Sequence, residues 1–295
     1  MSVAEARGVV DQLIEERAPG YFATAMGRAF MRRGLSRLMY YDFAVELAAT
    51  VRKLSARQIF ELASRELAMD VRVDGLGHVP PSGPIIVTPN HPTGIADGVV
   101  LFDALKAIRP DVVFFANRDA LRVAPSLEDM IIPVEWVSDR KSHARSRDTL
   151  VATHRAFQAG RCVVLFPAGR LAYWSWRGLR ERTWQPTAIN MARKYRAPIV
   201  PLSMQGRNSI LFYALSQVSH ELRDVTLFRE LLNKKGATYD VRIGAPIDSH
   251  ALEGSPQDIV SDLQHLVEHA MRRDGHVARL RPRQPRTRTA ASLGA

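Results

Sequence analysis

The sequence predicts an α/β protein: a mixed, mostly parallel sheet flanked by helices, preceded by an N-terminal amphipathic helical segment. Three observations predict it. Short apolar, β-rich runs begin at Asp70 and alternate with helical patterns up to about residue 272. Several of these runs are apolar at successive positions, as strands covered on both faces are. Before residue 69 the spacing is helical throughout, with no strand pattern.

Taken in order, residues 1–68 read as helices. Within them "GRAFMRRGLSRLMYYDFAVELAATVRKL" mixes apolar residues at helical spacing with Arg28, Arg32, Arg33, Arg37, Arg52 and Lys53. Such a stretch suits either an anionic membrane surface or a helical layer packed on the domain behind it, and the two are compatible. Strands are expected at 70–74, 84–88, 111–116, 130–136, 161–166, 197–203 and 239–244. Helices are expected near 97–108, 142–158, 185–196, 208–219, 223–234 and 255–272. The expected units are therefore a helical segment (1–68), an α/β domain (69–272) and a basic, unstructured tail (273–295), rich in proline and arginine.

Composition narrows the function classes. An apolar share of 46% over 295 residues suits a globular chain with a sizeable core. Cys162, the one cysteine, lies in the apolar run "CVVLF"; it forms no intramolecular disulfide and reads as a core residue of a reducing compartment. No apolar run reaches about 18 residues, so no membrane-spanning helix is expected. The acids near the start argue against a signal peptide. The expected location is cytoplasmic, peripheral on the inner face of the cell membrane. The net charge of +11 is concentrated at the end, where Arg272, Arg273, Arg279, Arg281, Arg283, Arg286 and Arg288 face Asp274 alone. Such charge suits phosphate, in lipid headgroups or in nucleic acid, and it also suits a solvated tail.

Two motif matches fail on context. "GLGHVP" (75–80) opens like a dinucleotide-binding turn, but Pro80 replaces the last glycine and the chain runs into a strand rather than a helix. "HLVEH" (265–269) sets His265 and His269 one turn apart, yet no third ligand follows, so no metal is implied. The stretch "PIIVTPNHPTGIADG" (84–98) is different. His91 and Asp97 are six residues apart, too far to meet along a helix, but Pro92 and Gly94 can bend a loop that joins them. The plain alternative is a loop histidine and a helix-capping aspartate. Three more strand ends keep this one company: "FFANRDALR" (114–122), "LFPAGR" (165–170) and "APIVPLSMQGRNS" (197–209). A His–Asp pair among several cations at strand ends suits an anionic substrate.

In this order, the blocks resemble those of the glycerolipid acyltransferase superfamily, which includes 1-acylglycerol-3-phosphate and lysophospholipid or lyso-ornithine-lipid acyltransferases. "NHPTGIADG" is similar to its N-H-x-x-x-x-D block, "FPAG" (166–169) to its F-P-x-G block and "IVPLSMQG" (199–206) to its V-P block. "GRNSILFY" and "LFRELLNKKGATYDVRIGAPI" resemble the haemolysin-like bacterial branch. The likeness covers roughly residues 50–250. Two departures stand out: five residues, not four, separate His91 from Asp97, and against F-P-E-G-T-R Ala168 replaces the glutamate while Arg170 falls one position early. The second departure points away from glycerol 3-phosphate or simple lysophosphatidate as acceptor and leaves the acyl-transfer step intact.

The resemblance implies a transfer of a fatty acyl group from acyl-CoA or acyl-carrier protein to the hydroxyl of a lysophospholipid or lyso-ornithine-type lipid, with no cofactor or metal. His91 is then the general base and Asp97 its orienter. Histidine suits that task because its ordinary pKa lies near neutrality. Backbone amides near Gly94 or at the start of the following helix are candidates for the oxyanion. Arg118 and Arg170, with Phe166, Pro167 and Gly169, are the substrate-binding candidates; Arg122, Arg177 and Arg207 are weaker ones. "AYWSW" (172–176) reads as packing or a membrane-facing aromatic loop. Expected partners are the lipid acceptor, the acyl donor and a membrane surface, and not nucleic acid. Two rival readings stay open: a lipid ester or thioester hydrolase using the same pair, and a non-enzymatic basic membrane- or nucleic-acid-binding protein.

Overall fold

The computed structural model describes residues 2–31, 40–135, 142–176 and 178–274. Arg32, Arg33, Arg37, Arg177 and the tail beyond residue 274 lie outside them. Among the described residues nine strands are present: β1 (Asp70–Asp74), β2 (Ile85–Pro89), β3 (Val113–Asn117), β4 (Ile131–Val134), β5 (Cys162–Val164), β6 (Tyr173–Ser175), β7 (Gly178–Arg180), β8 (Ile199–Met204) and β9 (Thr238–Ile243). Seven form one sheet in the order β1-β9-β8-β2-β5-β3-β4, and β6 and β7 pair as a separate hairpin. Strands β8, β2, β5, β3 and β4 run parallel; β9 is antiparallel to β8, and β1 runs parallel to β9. The sheet is thus mixed and mostly parallel.

Period-two alternation divides each central strand between two cores. Ile85, Val87, Cys162, Val164, Val200 and Leu202 face one core, which Leu101, Phe102 and Leu105 of the helix Ile95–Leu105 complete. Ile86, Val163 and Ile199 face the other, against Ala188 and Ile189 of Thr187–Tyr195 and Val260 and Leu263 of Pro256–His265. Covered on both faces, β2, β5 and β8 are buried along their whole length. That is why these runs read as continuously apolar.

The seven expected strands all lie in this sheet, with ends moved by one or two residues. Three helical readings are refined. The helix expected from 97 starts at Ile95, because Gly94 turns the chain at φ +94°. The single helix expected over 223–234 is two, His220–Val225 and Leu227–Leu232, broken where the Thr226 hydroxyl donates to the Arg223 carbonyl (2.7 Å). The last helix passes into a wider π turn at Leu266–Ala270. "AYWSW" is half of the β6–β7 hairpin rather than a loop, with Tyr173 opposite Arg180 and Trp174 opposite Leu179.

The N-terminal helices rest on this domain. Ala6, Val45 and Ala48 pack together with Val123 beside them. Glu16 pairs with Arg122 (2.5 Å) and Arg17 with Asp119 (3.3 Å). Among the described residues, no helix is long and apolar enough to cross a membrane.

Candidate active site

Parallel strands deliver their carboxyl ends to one edge of the sheet, and the loops leaving that edge form sites. Here those loops follow β2 (Asn90–Gly94), β3 (Arg118), β5 (Leu165–Arg170) and β8 (Gln205–Ser209). Adjacent strands β2 and β8 are tied at this edge by Asn90, whose amide donates to the Met204 carbonyl (2.8 Å) and accepts the Met204 N–H (2.7 Å).

The bend after β2 brings the two expected residues together: His91 Nδ1 lies 2.8 Å from Asp97 Oδ2. Asp97 is 0% exposed and His91 15%. The same Oδ2 accepts the backbone N–H of Thr93 and of Gly94, each at 2.9 Å, and Oδ1 accepts the Thr93 hydroxyl. Asp97 therefore holds the start of its helix and the histidine at once. With Nδ1 engaged, Nε2 is the ring nitrogen available for proton transfer. Phe166 supports the ring from the neighbouring loop, with centroids 4.0 Å apart. Tyr239 of β9 backs the arrangement, its hydroxyl 3.0 Å from Thr93 Oγ1. Burial, then the Asp97 charge, push the Tyr239 phenol up, so it remains a protonated partner. Gly206 is required where Tyr239 passes, since a Cβ there would meet its ring at 2.6 Å. The Thr93 and Gly94 amides are engaged by Asp97, which removes them as oxyanion donors. The first-turn amides of Ile95 and Ala96 have no carbonyl of their own helix to pair with, and they are the better candidates.

The main chain of His91 is held as firmly as its ring. Its N–H donates to Glu181 Oε1 (2.5 Å) and its carbonyl accepts from the Ala172 N–H (2.9 Å). Glu181 also accepts the Trp184 indole N–H (2.8 Å). Burial pushes the Glu181 carboxyl up to about 7, against the pull of these two donors. A free glutamate releases its proton near 4.5, so between about 4.5 and about 7 the folded chain binds the extra proton. The contribution of this group to stability is greatest at the acid end and declines as pH rises through that window. Thermal melts of the parent and of Glu181→Gln should therefore differ by an amount that changes between pH 4.5 and pH 7 and is flat above it, the parent losing ground as pH rises.

The remaining sequence candidates fall at the same edge but do not all converge. The turn at Phe166–Gly169 closes with the Gly169 N–H on the Phe166 carbonyl (3.0 Å), and the Pro167 carbonyl accepts from Gln185. Ala168 is buried beneath it. Arg170 is exposed and, among the described residues, makes no ion pair. Arg118 lies two strands from β2, about 10 Å by strand spacing, and its guanidinium is engaged by Asp148 (3.4 Å) and the Arg145 carbonyl (3.3 Å). Arg122 is held by Glu16 and Asp119. Arg207 is exposed. Burial pushes the Cys162 thiol up to about 12, consistent with a core residue. His265 and His269 stand 5.0 Å apart, and among the described residues no group of three His, Cys, Asp or Glu is placed to hold a metal.

Sequence reasoning missed Thr93, Tyr239, Asn90 and Glu181. Glu181 left one signal: it is the single acid between residues 160 and 219.

Residues 70–205 match the family model described as Acyltransferase. Two curated relatives carry the name lyso-glycine lipid O-acyltransferase. The one from Phocaeicola vulgatus is 28% identical over 184 residues, spanning 60% of this chain and 64% of the relative. The one from Bacteroides thetaiotaomicron is 25% identical over 245 residues, spanning 81% and 87%. The crystal structure of the 1-acyl-sn-glycerophosphate (LPA) acyltransferase PlsC from Thermotoga maritima aligns with 92% of this chain and 98% of that one, at 15% identity and a TM-score of 0.47. At that distance it adds nothing to what the sheet order already shows. The matched segment is similar to acyltransferase domains, and the blocks around His91, Phe166 and Pro201 resemble those of the glycerolipid acyltransferase superfamily.

Proposed function

We propose that the protein transfers a fatty acyl group from a thioester, acyl-CoA or acyl-carrier protein, to the hydroxyl of a lyso-lipid, working peripherally at a membrane surface. The observation that carries the reading is the His91 Nδ1–Asp97 Oδ2 contact of 2.8 Å, made by a fully buried aspartate with three further donors. In this mechanism His91 Nε2 takes the acceptor hydroxyl proton as the oxygen attacks the thioester carbonyl. The Asp97 carboxylate fixes the tautomer and stabilises the imidazolium. The C–O bond forms, the C–S bond breaks, and the imidazolium returns its proton to the leaving thiolate. No covalent acyl-enzyme is needed, and Cys162, deep in β5, is not one of the actors. The amides of Ile95 and Ala96 are the proposed oxyanion donors.

The relatives' name and the replacement of the family's glutamate by Ala168 favour a lyso-lipid with an amino-acid headgroup, of the lyso-glycine or lyso-ornithine kind, over a glycerol phosphate. Arg170, exposed beside Phe166, is the proposed contact for the acceptor's anionic group. Arg118 is a lesser candidate because Asp148 already engages it.

Purified protein supplied with labelled acyl-CoA or acyl-carrier protein should form labelled diacylated lipid only when a lyso-lipid is present. Release of free fatty acid at the same rate with and without the acceptor would instead favour the hydrolase reading.

A further inference from the structure

The hairpin β6–β7 leaves the domain between two contacts to a single residue. On its first stem Ala172 donates to the His91 carbonyl (2.9 Å), and just past its second stem Glu181 accepts the His91 N–H (2.5 Å). Between those stems the hairpin turns its aromatic side chains outward: Trp176 is 86% exposed and Trp174 48%. Trp174 leans on Tyr213, with centroids 5.4 Å apart, and the helix that carries Tyr213 begins at Ile210, which is 88% exposed. Arginines flank the stems of this hairpin. Arg170, Arg180, Arg182 and Arg207 are exposed, and the Arg182 guanidinium sits 5.5 Å over the Tyr173 ring. The only acid in that stretch of chain, Glu181, is buried and turned inward to His91.

An outward pair of indoles beside an isoleucine is not the ordinary surface of a soluble domain. Tryptophan and tyrosine rings settle at the level of lipid headgroups, and guanidinium groups pair with anionic ones. The exposed charge flanking the hairpin is that of these arginines, since Glu268, which shares a cavity with Arg180, is mostly buried, and it complements such a surface. We infer that the β6–β7 hairpin, with Ile210, is a docking element for an anionic lipid surface. Its stems hold the main chain of His91 on both sides, so docking sets the base at the level of the headgroups. The purpose of the docking rests on the lipid-acyltransferase reading above; the binding itself does not.

The test uses the full chain and phosphatidylcholine vesicles with or without phosphatidylglycerol, read by co-sedimentation. The parent should bind the anionic vesicles and release as salt is raised. Trp174→Ala/Trp176→Ala should lower its affinity about tenfold or more, and Trp176→Ala alone several-fold, since each exposed indole buries a large apolar area. The arginines beyond residue 272 attract both chains alike and leave the ratio to the hairpin. The melting temperature and the turnover of a short-chain lyso-lipid below its micelle concentration should be unchanged in the double variant. Equal vesicle binding by parent and double variant would overturn the inference, as would capture by an acidic carrier protein that needs the two tryptophans while vesicle binding does not. Tryptophan-dependent vesicle binding supports it even if the parent transfers no acyl group, which would count against the acyltransferase reading alone.

Discussion

His91→Ala should lower the turnover of acyl transfer by about 10²–10⁴-fold and leave the fold in place. Among the described residues the ring makes one hydrogen bond, to Asp97. Without it Asp97 keeps both backbone donors and the Thr93 hydroxyl. The main-chain contacts to Glu181 and Ala172 do not involve the side chain. A melting temperature close to the parent's with lost turnover is the expected pair of results. Turnover at the parental rate would remove His91 from the mechanism.

Asp97→Asn should cost both activity and stability. The amide has one acceptor oxygen where the carboxylate has two, and it carries no charge to stabilise the imidazolium. A loss of about 10²–10⁴ in turnover is expected from the histidine's changed partner. The buried N–H groups of Thr93 and Gly94, left with a weaker acceptor, should add a loss of about 1–3 kcal/mol in folding stability. Calorimetry separates the two residues. Asp97→Asn must melt below the parent while His91→Ala does not; a reversal of that order would mean that the aspartate serves the histidine alone and not its own helix.

How much of this was legible in the sequence follows from how local each feature is. The central strands β2, β5 and β8 could be read because burial on both faces made them apolar throughout, β1 and β9 because they alternate, and Pro92 with Gly94 announced the bend that joins His91 to Asp97. Gly94 also moved the helix start to Ile95, a backbone conformation that residue identity hints at but does not locate. Tyr239 could not be found this way. It lies 146 residues from Thr93 and looks like any aromatic in an alternating strand; only the antiparallel return of β9 beside β8 brings it to the site. Glu181 was hidden differently. The hairpin before it consists of two three-residue strands, too short to show a period, so the chain's return to His91 left no pattern. Arg118 shows the opposite limit. Its place at a strand end was legible, but its partner Asp148 comes from a helix on a later stretch of chain.

The circuit from His91 to Asp97 closes within seven consecutive residues, whereas the turn around Ala168 and Arg170 belongs to another strand and meets the histidine through the face of Phe166. On the proposed reading, reactivity and acceptor choice sit on separate pieces of chain. A substitution at 168 or 170 would then redirect acceptor choice without retuning the base, so related chains sharing one chemistry would be free to diverge in the lipids they finish.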